Sequence, residues 1–147
     1  MTRPHPTTHH VHATPKHVEF HASSTHESIE LLAERLAPVL RRVRMADSDY
    51  RRFTQALIEA ITNAAEHGNE SDPGKRITVT CDCLPSEVKV VVEDEGRGFD
   101  PDGVPDPTLP ENVMCERGRG LLLMRHGADE CRIENQGRRI VLIKHFA

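Results

Sequence analysis

Aromatic side chains are scarce in this chain of 147 residues: they make up 3% of it, and tryptophan is absent. Aliphatic side chains must therefore build most of the interior. A chain of 147 residues is long enough to form one domain with a hydrophobic core. Its hydrophobic content of 37% is ordinary for such a domain. No apolar run approaches the roughly 20 residues that a membrane helix requires, and no signal peptide precedes the domain. We therefore expect a cytoplasmic protein without a membrane span.

An excess of basic residues is also missing, because the formal net charge is −4. Since nucleic-acid-binding surfaces are typically basic, direct binding to nucleic acid is not expected. The chain also lacks the paired Cys-x-x-Cys units of a zinc site, and cytosolic proteins rarely form disulfides. We expect the cysteines to be small buried or half-buried residues, the first two sharing a strand face. They are Cys81, Cys83, Cys115 and Cys131.

Residues 1–15 differ in composition from the rest, with three prolines and four histidines. The proline spacing and the lack of apolar periodicity predict a disordered tail. Its histidines could bind a transition metal adventitiously, but a solvated tail is the simpler interpretation. The domain is accordingly placed at residues 16–147.

The remaining sequence alternates between strand-like and helix-like periodicity, which predicts a two-layer α/β sandwich of the α+β class. Strands are expected at residues 17–22, 78–84, 88–93, 131–134 and 138–144. A first helix is expected at 27–43, with Pro38 kinking or breaking it. A second helix should begin after an N-cap at Asp47 or Ser48 and stop at Gly68.

The second helix carries an unusual polar pair. Its apolar residues recur at steps of three and four, and Glu59 and Asn63 lie beside that stripe. At about 100° per residue, the two side chains project about 40° apart at the border of the core, with His67 one turn further along. They could form the wall of a pocket, or they could be a solvated glutamate hydrogen-bonded to an asparagine.

Two glycine-containing motifs follow. A β-branched run leads into Asp94-Glu-Gly96-Arg-Gly98, a loop that would let the backbone approach a ligand closely. About twenty residues later, Gly118-Arg119-Gly120 opens a third helical pattern. Glycine ahead of a helix exposes backbone N–H groups at the positive end of the helix dipole, which favours a phosphate.

Together these motifs resemble the N, G1 and G2 boxes of the ATP-binding fold shared by gyrase, heat-shock chaperone, histidine kinase and MutL-type proteins. The greatest likeness is to the small bacterial anti-sigma factor serine/threonine kinases. The N box corresponds to residues 59–69, the G1 box to 93–98 and the G2 box to 118–122. The resemblance covers residues 16–147 and implies a Bergerat-type fold, with a mixed, mostly antiparallel sheet and helices on one face.

The resemblance also implies the roles of the site residues. Glu59 would be the catalytic base, Asn63 would ligate Mg²⁺ and Asp94 would accept a hydrogen bond from adenine. The remaining nucleotide-binding residues would be His67, Gly96, Gly98, Phe99, Gly118, Arg119, Gly120 and Leu121. Residues 99–117, which contain four prolines, would form a lid over ATP.

The function implied is that of a cytoplasmic serine/threonine kinase and anti-sigma factor that phosphorylates a STAS-type anti-sigma-factor antagonist. A sigma factor and a second copy of the chain are further expected partners. An alternative is a nucleotide-responsive module that switches a partner without phosphorylating it. A detached histidine-kinase domain is disfavoured, because no helix pair with a phosphoacceptor histidine precedes the domain. His126-Gly127 departs from the bulkier apolar residues usual in these kinases, and is expected to shorten or loosen the helix after the G2 box.

Overall fold

The computed structural model describes residues 16–97 and 116–146, which form five strands, three α-helices and two short helical segments. In chain order the main elements are β1 (Lys16–Ser23), α1 (His26–Leu40), α2 (Asp47–Thr62), β2 (Arg76–Cys83), β3 (Glu87–Glu93), α3 (Glu116–Gly127), β4 (Glu130–Glu134) and β5 (Arg139–His145). A π-helical segment, Asn63–Gly68, continues α2, and a 3₁₀ turn, Asn135–Gly137, joins β4 to β5. None of the helices in the two described stretches is long and apolar enough to cross a membrane.

The sheet has the strand order β1-β2-β3-β5-β4, and all four described pairings are antiparallel. Alternate residues point toward the helices. Val90, for example, lies opposite Cys81 on one side and Leu142 on the other, and all three are buried in one core with the helices. The predicted two-layer α+β fold with a mostly antiparallel sheet is therefore confirmed.

Helix α1 begins earlier and ends sooner than predicted. Thr25 caps it, because its side-chain oxygen accepts a hydrogen bond from the backbone N–H of Ser28 at 3.2 Å. The helix ends at Leu40, two residues beyond Pro38, instead of continuing to Val43. Proline removes one helical hydrogen bond and crowds the preceding turn, so the helix accommodates Pro38 only near its end.

Helix α2 begins at Asp47, with Ala46 as its N-cap. The predicted cap at Asp47 or Ser48 was therefore wrong by one or two positions. Asp47 and Asp49 instead lie in the first turn, where their negative charges interact favourably with the helix dipole. The apolar stripe is placed as predicted, with Phe53, Ala60 and Ile61 fully buried.

Helix α3 packs closely on α2 at Gly127. A Cβ atom on Gly127 would lie 2.4 Å from the carbonyl oxygen of Arg52 and 2.7 Å from the Cβ of Ala56. The helix does end at this glycine, as the sequence suggested. Gly127 does not loosen it against its neighbour, however, because the missing side chain is what allows the two backbones to approach.

Three of the four cysteines lie in the described residues and are free thiols. Cys81 is buried and Cys83 and Cys131 are half-buried, as predicted. Cys81 and Cys83 share one face of β2, with their Sγ atoms 3.9 Å apart. Burial, and then the neighbouring Cys83, raise the pKa of the Cys81 thiol. Such a thiol is a poor nucleophile. Cys115 lies outside the described residues.

Candidate functional site

At Asn63 the second helix widens from an α-helix into a π-helical segment that ends at Gly68. The backbone N–H of Asn69 bonds the carbonyl of Ala64 at 2.8 Å, which is the i to i+5 spacing of a π turn. One turn now contains about one extra residue, so Gly68 rather than His67 follows Asn63 on the same side. Asn63 and Gly68 are buried, whereas Glu66 and His67 are exposed.

Glu59 and Asn63 lie where α2 meets the π segment. Glu59 is half-buried, and Asn63 is 8% exposed. The Asn63 carboxamide has no hydrogen-bond partner among the described residues, so the simple pairing with Glu59 is not formed. The carboxamide is therefore available to a ligand at a largely buried position.

The carboxylate of Glu59 faces the start of α3. A Cβ atom on Gly120 would lie 3.0 Å from Glu59 Oε2. Leu121, the next residue, is 7% exposed and joins the core. Any side chain at position 120 would therefore press on the Glu59 carboxylate.

The glycines of the third motif lie in the first turns of α3, and not ahead of the helix as predicted. Because α3 begins at Glu116, Gly118 and Arg119 are the third and fourth helical residues. The first four N–H groups of a helix have no intrahelical acceptor. The backbone at these two positions therefore still belongs to the anion-attracting end of the helix.

The loop after β3 interlocks with the end of the π segment. A Cβ atom on Gly96 would lie 1.6 Å from the carbonyl oxygen of Gly68, and one on Gly68 would lie 2.3 Å from Asp94 Oδ2. The backbone N–H of Asp94 bonds the Arg138 carbonyl at 3.0 Å, and Asp94 Oδ1 accepts a hydrogen bond from the Gly96 N–H at 2.8 Å. Gly96 is thus required by close contact with the backbone of Gly68, and Gly68 leaves the space that the Asp94 carboxylate occupies.

Burial raises the pKa of the Asp94 carboxyl above its ordinary value. The Gly96 N–H and the positive charges of Arg138 and Lys75 act in the opposite direction. Asp94 is therefore a partly desolvated carboxylate next to a glycine loop, an arrangement typical of binding sites.

The sequence profile of the histidine kinase-like ATPase domain matches residues 22–144. The chain belongs to this family. The resemblance predicted from the three boxes is confirmed, and membership of an ATPase family implies the use of ATP.

Curated relatives carry related names. The chain is 26% identical over 125 residues to the serine-protein kinase RsbW of Bacillus subtilis, covering 81% of this chain and 78% of that protein. It is 28% identical over 136 residues to the anti-sigma F factor of Geobacillus kaustophilus, covering 89% and 92% of the two chains. The anti-sigma F factor of Heyndrickxia coagulans is 35% identical over 95 residues, which cover 60% and 65%.

A solved structure has the same fold. The RsbU and RsbW domains of a Mycobacterium tuberculosis protein superpose with a TM-score of 0.59 at 19% identity. The match covers 89% of this chain but only 32% of that longer chain. At this identity the likeness extends to the fold alone.

Within this histidine kinase-like ATPase fold, the G1 and G2 boxes both lie against the helical run that carries the N box, at two different positions. Glu59 contacts the G2 position Gly120, and Gly68 contacts the G1 residues Asp94 and Gly96. His67 lies nearby in the chain but is exposed. Gly98, Phe99 and most of the predicted lid lie outside the described residues, and the last two lid positions, 116 and 117, are helical.

Sequence reasoning missed two residues that support this site. Asn69 is fully buried and hydrogen-bonded to three segments of the chain, and Arg138 contributes both its carbonyl and its charge beside Asp94. The motif predicted only that Asn69 ends the N box. Nothing in the sequence pattern pointed to Arg138.

Proposed function

We propose that this protein is an ATP-dependent serine/threonine kinase and anti-sigma factor, which phosphorylates a STAS-type antagonist and regulates transcription by partner switching. The observation that carries the proposal is that one continuous helical run, α2 and its π segment, places Glu59 against Gly120 and Gly68 against Asp94. The names of the relatives, serine-protein kinase and anti-sigma F factor, support it.

Glu59 is assigned the catalytic role. Its carboxylate lies beside Gly120, in the first turns of α3, where the phosphates of ATP would bind. It would orient the hydroxyl of the acceptor serine and accept its proton as the oxygen bonds to the γ-phosphorus. The bond from phosphorus to the bridging oxygen breaks in the same transfer, and ADP leaves.

Asn63 is assigned to the metal. Its nearly buried carboxamide, which lacks a protein partner among the described residues, fits an oxygen ligand for Mg²⁺. Mg²⁺ would neutralise charge on the phosphate oxygens. Among the described residues, no cluster of three or more His, Cys, Asp or Glu side chains could hold a metal ion. The phosphates of ATP would therefore supply the negative charge that Mg²⁺ requires at this site.

Asp94 is assigned to adenine. Its Oδ1 is engaged by the Gly96 N–H, and its Oδ2 makes no hydrogen bond within the described chain, which leaves an acceptor for the adenine amino group. Gly96 and Gly98 would let the backbone pass close to the base. Gly118, Arg119 and Gly120 would bind the phosphates, and Phe99 and Leu121 would complete the nucleotide site.

The proposed partners are a STAS-domain antagonist as phosphoacceptor, a sigma factor as the sequestered protein, and a second copy of the chain. The proposed compartment is the cytoplasm. The net charge of −4 favours protein partners over nucleic acid.

The test is transfer of labelled γ-phosphate from ATP and Mg²⁺ to STAS-domain proteins of the same genome. Glu59→Gln should lower the transfer rate at least about 100-fold, the usual effect of losing a general base, while ATP affinity stays within threefold. Glu66→Gln is the matched control, because Glu66 is an exposed glutamate in the π segment that follows α2. Wild-type rates in Glu59→Gln would refute the mechanism.

Two other outcomes separate the alternatives. ATP-dependent partner binding that is equal in wild type and Glu59→Gln, with no labelled product, would identify a nucleotide-responsive binding module. An acid-labile phosphohistidine product would identify a histidine kinase.

A further inference from the structure

Asn69 is the most completely engaged polar side chain at the site. It is fully buried. Its Nδ2 donates to Ser24 Oγ at 2.7 Å and to the Arg76 carbonyl at 3.0 Å, and its Oδ1 accepts from the backbone N–H of Glu95 at 2.8 Å. One carboxamide therefore joins the β1–α1 connection, the start of β2 and the loop after β3.

The bond to Glu95 matters most, because Glu95 directly follows Asp94. The backbone N–H groups of three consecutive residues are fixed. That of Asp94 bonds the Arg138 carbonyl, that of Glu95 bonds Asn69, and that of Gly96 bonds the Asp94 carboxylate itself. Of these three acceptors, only the Asn69 side chain comes from the residue that caps the helical run of Glu59 and Asn63.

Asn69 is in turn held rigidly. Ser24, its hydrogen-bond acceptor, is 1% exposed and donates its own hydroxyl to the Lys75 carbonyl at 2.8 Å. The backbone N–H of Asn69 also closes the π turn through the Ala64 carbonyl. A buried side chain with every hydrogen-bonding position satisfied adopts a single orientation.

We propose that Asn69 is a positioning residue for base recognition, which fixes the Asp94 loop against the nucleotide-binding helix and thereby sets the preference for a 6-aminopurine. The inference rests on the proposed function for the assignment of Asp94 to adenine. Asn69 itself does not touch the nucleotide. It acts through Glu95 on the position of the Asp94 carboxylate.

The measurement is the ratio of the dissociation constants for ITP and ATP, with Mg²⁺ present. Inosine carries a carbonyl oxygen where adenine carries the amino group, so a well-placed Asp94 carboxylate should discriminate against it. Asn69→Ala removes the acceptor of the Glu95 backbone N–H, while the Glu95 side chain still accepts a hydrogen bond from the Arg76 backbone N–H at 2.8 Å. The ITP/ATP ratio should fall at least fivefold, chiefly because ATP binding weakens. A purely structural role for Asn69 would weaken both nucleotides equally and leave the ratio unchanged, and that result would overturn the proposal.

Ser24→Ala is the matched control. It removes one acceptor of the Asn69 carboxamide and disturbs a buried hydrogen bond. The Arg76 carbonyl still accepts from Asn69 Nδ2, and the Glu95 N–H still donates to Asn69 Oδ1, so the carboxamide keeps its orientation. Its ITP/ATP ratio should remain within twofold of wild type. Loss of the preference in Ser24→Ala as well would mean that general destabilisation, and not the Glu95 bond, sets the ratio.

A second measurement keeps the proposal testable if Asn69→Ala does not fold. In the wild-type protein, the amide proton of Glu95 should exchange with solvent as slowly as strand amides of β3, because Asn69 accepts its hydrogen bond. Exchange at the rate of an exposed loop amide would overturn the proposal. By contrast, a wild-type protein that binds ATP and ITP equally would refute the adenine assignment of Asp94, and one that binds neither nucleotide would refute the proposed function.

Discussion

Replacing Gly96 by alanine tests the contact between the loop after β3 and the end of the π segment. The added Cβ would lie 1.6 Å from the carbonyl oxygen of Gly68, 2.3 Å from its carbonyl carbon and 3.1 Å from the backbone nitrogen of Asn69. All three atoms belong to the backbone, so no side-chain rotation can relieve the contact. Ordinary contact begins at 3.4 Å, so the loop and the helix end must separate by more than 1 Å.

The cost of that separation follows from what it breaks. Overpacking in a tightly packed region destabilises by about 1–3 kcal/mol, and the movement would also stretch the hydrogen bond from Glu95 to the buried Asn69, at about 1–3 kcal/mol. We expect the free energy of unfolding to fall by about 2–6 kcal/mol, which lowers the melting temperature by about 4–24 °C for a domain of this size. ATP affinity should fall at least tenfold, because Asp94 moves with the loop.

Urea titration and calorimetry of nucleotide binding give both quantities. Gly74→Ala is the matched control, because its Cβ would meet only Asp72 Oδ1, the end of an exposed side chain, at 3.2 Å. It should change the free energy of unfolding by less than about 1 kcal/mol in either direction. If Gly96→Ala were as stable as Gly74→Ala and bound ATP as well as the wild type, the loop could not lie against the helix end as described.

Three further predictions concern packing and titration. Gly127→Ala would place a methyl group 2.4 Å from the Arg52 carbonyl oxygen and should cost about 1–3 kcal/mol in urea titration; unchanged stability would contradict the close α2–α3 contact. Burial raises the pKa of Asp94 above 3.8, so ATP affinity should begin to fall on acidification while the pH is still above 3.8. The Asp94→Asn variant should bind ATP more weakly at every pH and should lack this pH dependence. The hydrogen bond from the backbone N–H of His145 is the main cause that lowers the pKa of Asp129 below 3.8. The Asp129 carboxylate therefore stabilises the fold fully above pH 3.8, and this stabilisation is lost as the pH falls through the lowered pKa. Asp129→Asn should therefore melt about 2–4 °C lower at neutral pH, and the deficit should shrink below pH 3.8.

The sheet and the main helices could be predicted because their burial follows a simple period. Val88, Val90 and Val92 alternate toward the helices, and the strand that contains them begins one residue before its predicted start. Phe53 and its neighbours follow the helical stripe. Element boundaries were less accurate. Thr25, the observed N-cap of α1, is one of several candidate caps beside Ser23 and Ser24, and Ala46, the N-cap of α2, has no side chain that could signal a cap.

The start of α3 was predicted too late because glycine costs about 1 kcal/mol in a helix relative to alanine. Two glycines in three positions therefore indicated a loop ahead of the helix. Gly120 is helical nonetheless, and it lies against Glu59 of the second helix. Tertiary contact with α2 outweighs the local preference at this position.

The residues of the candidate site could be predicted where they belong to a sequence motif. They could not be predicted where segments that are distant in the sequence come into contact. The order of the three boxes predicted Glu59, Asn63 and Asp94 as site residues, and these assignments stay predictions, whereas the family is confirmed. Asn69 was not identified as a supporting residue, because its partners Ser24 and Glu95 lie 45 and 26 positions away. No local period encodes such a hydrogen bond, so only the folded arrangement reveals it.

The π segment explains how one helix serves two parts of the site. In an α-helix, the residue four positions after Asn63 returns to its side, and that residue is His67. The wider turn brings Gly68 there instead, and the space that its missing side chain leaves is filled by the Asp94 carboxylate. Had the α-helix continued, the exposed His67 would face the loop after β3, and its imidazole would compete for the position of that carboxylate. The change of helical period therefore places the carboxamide of Asn63 and the glycine contact for Asp94 on a single face.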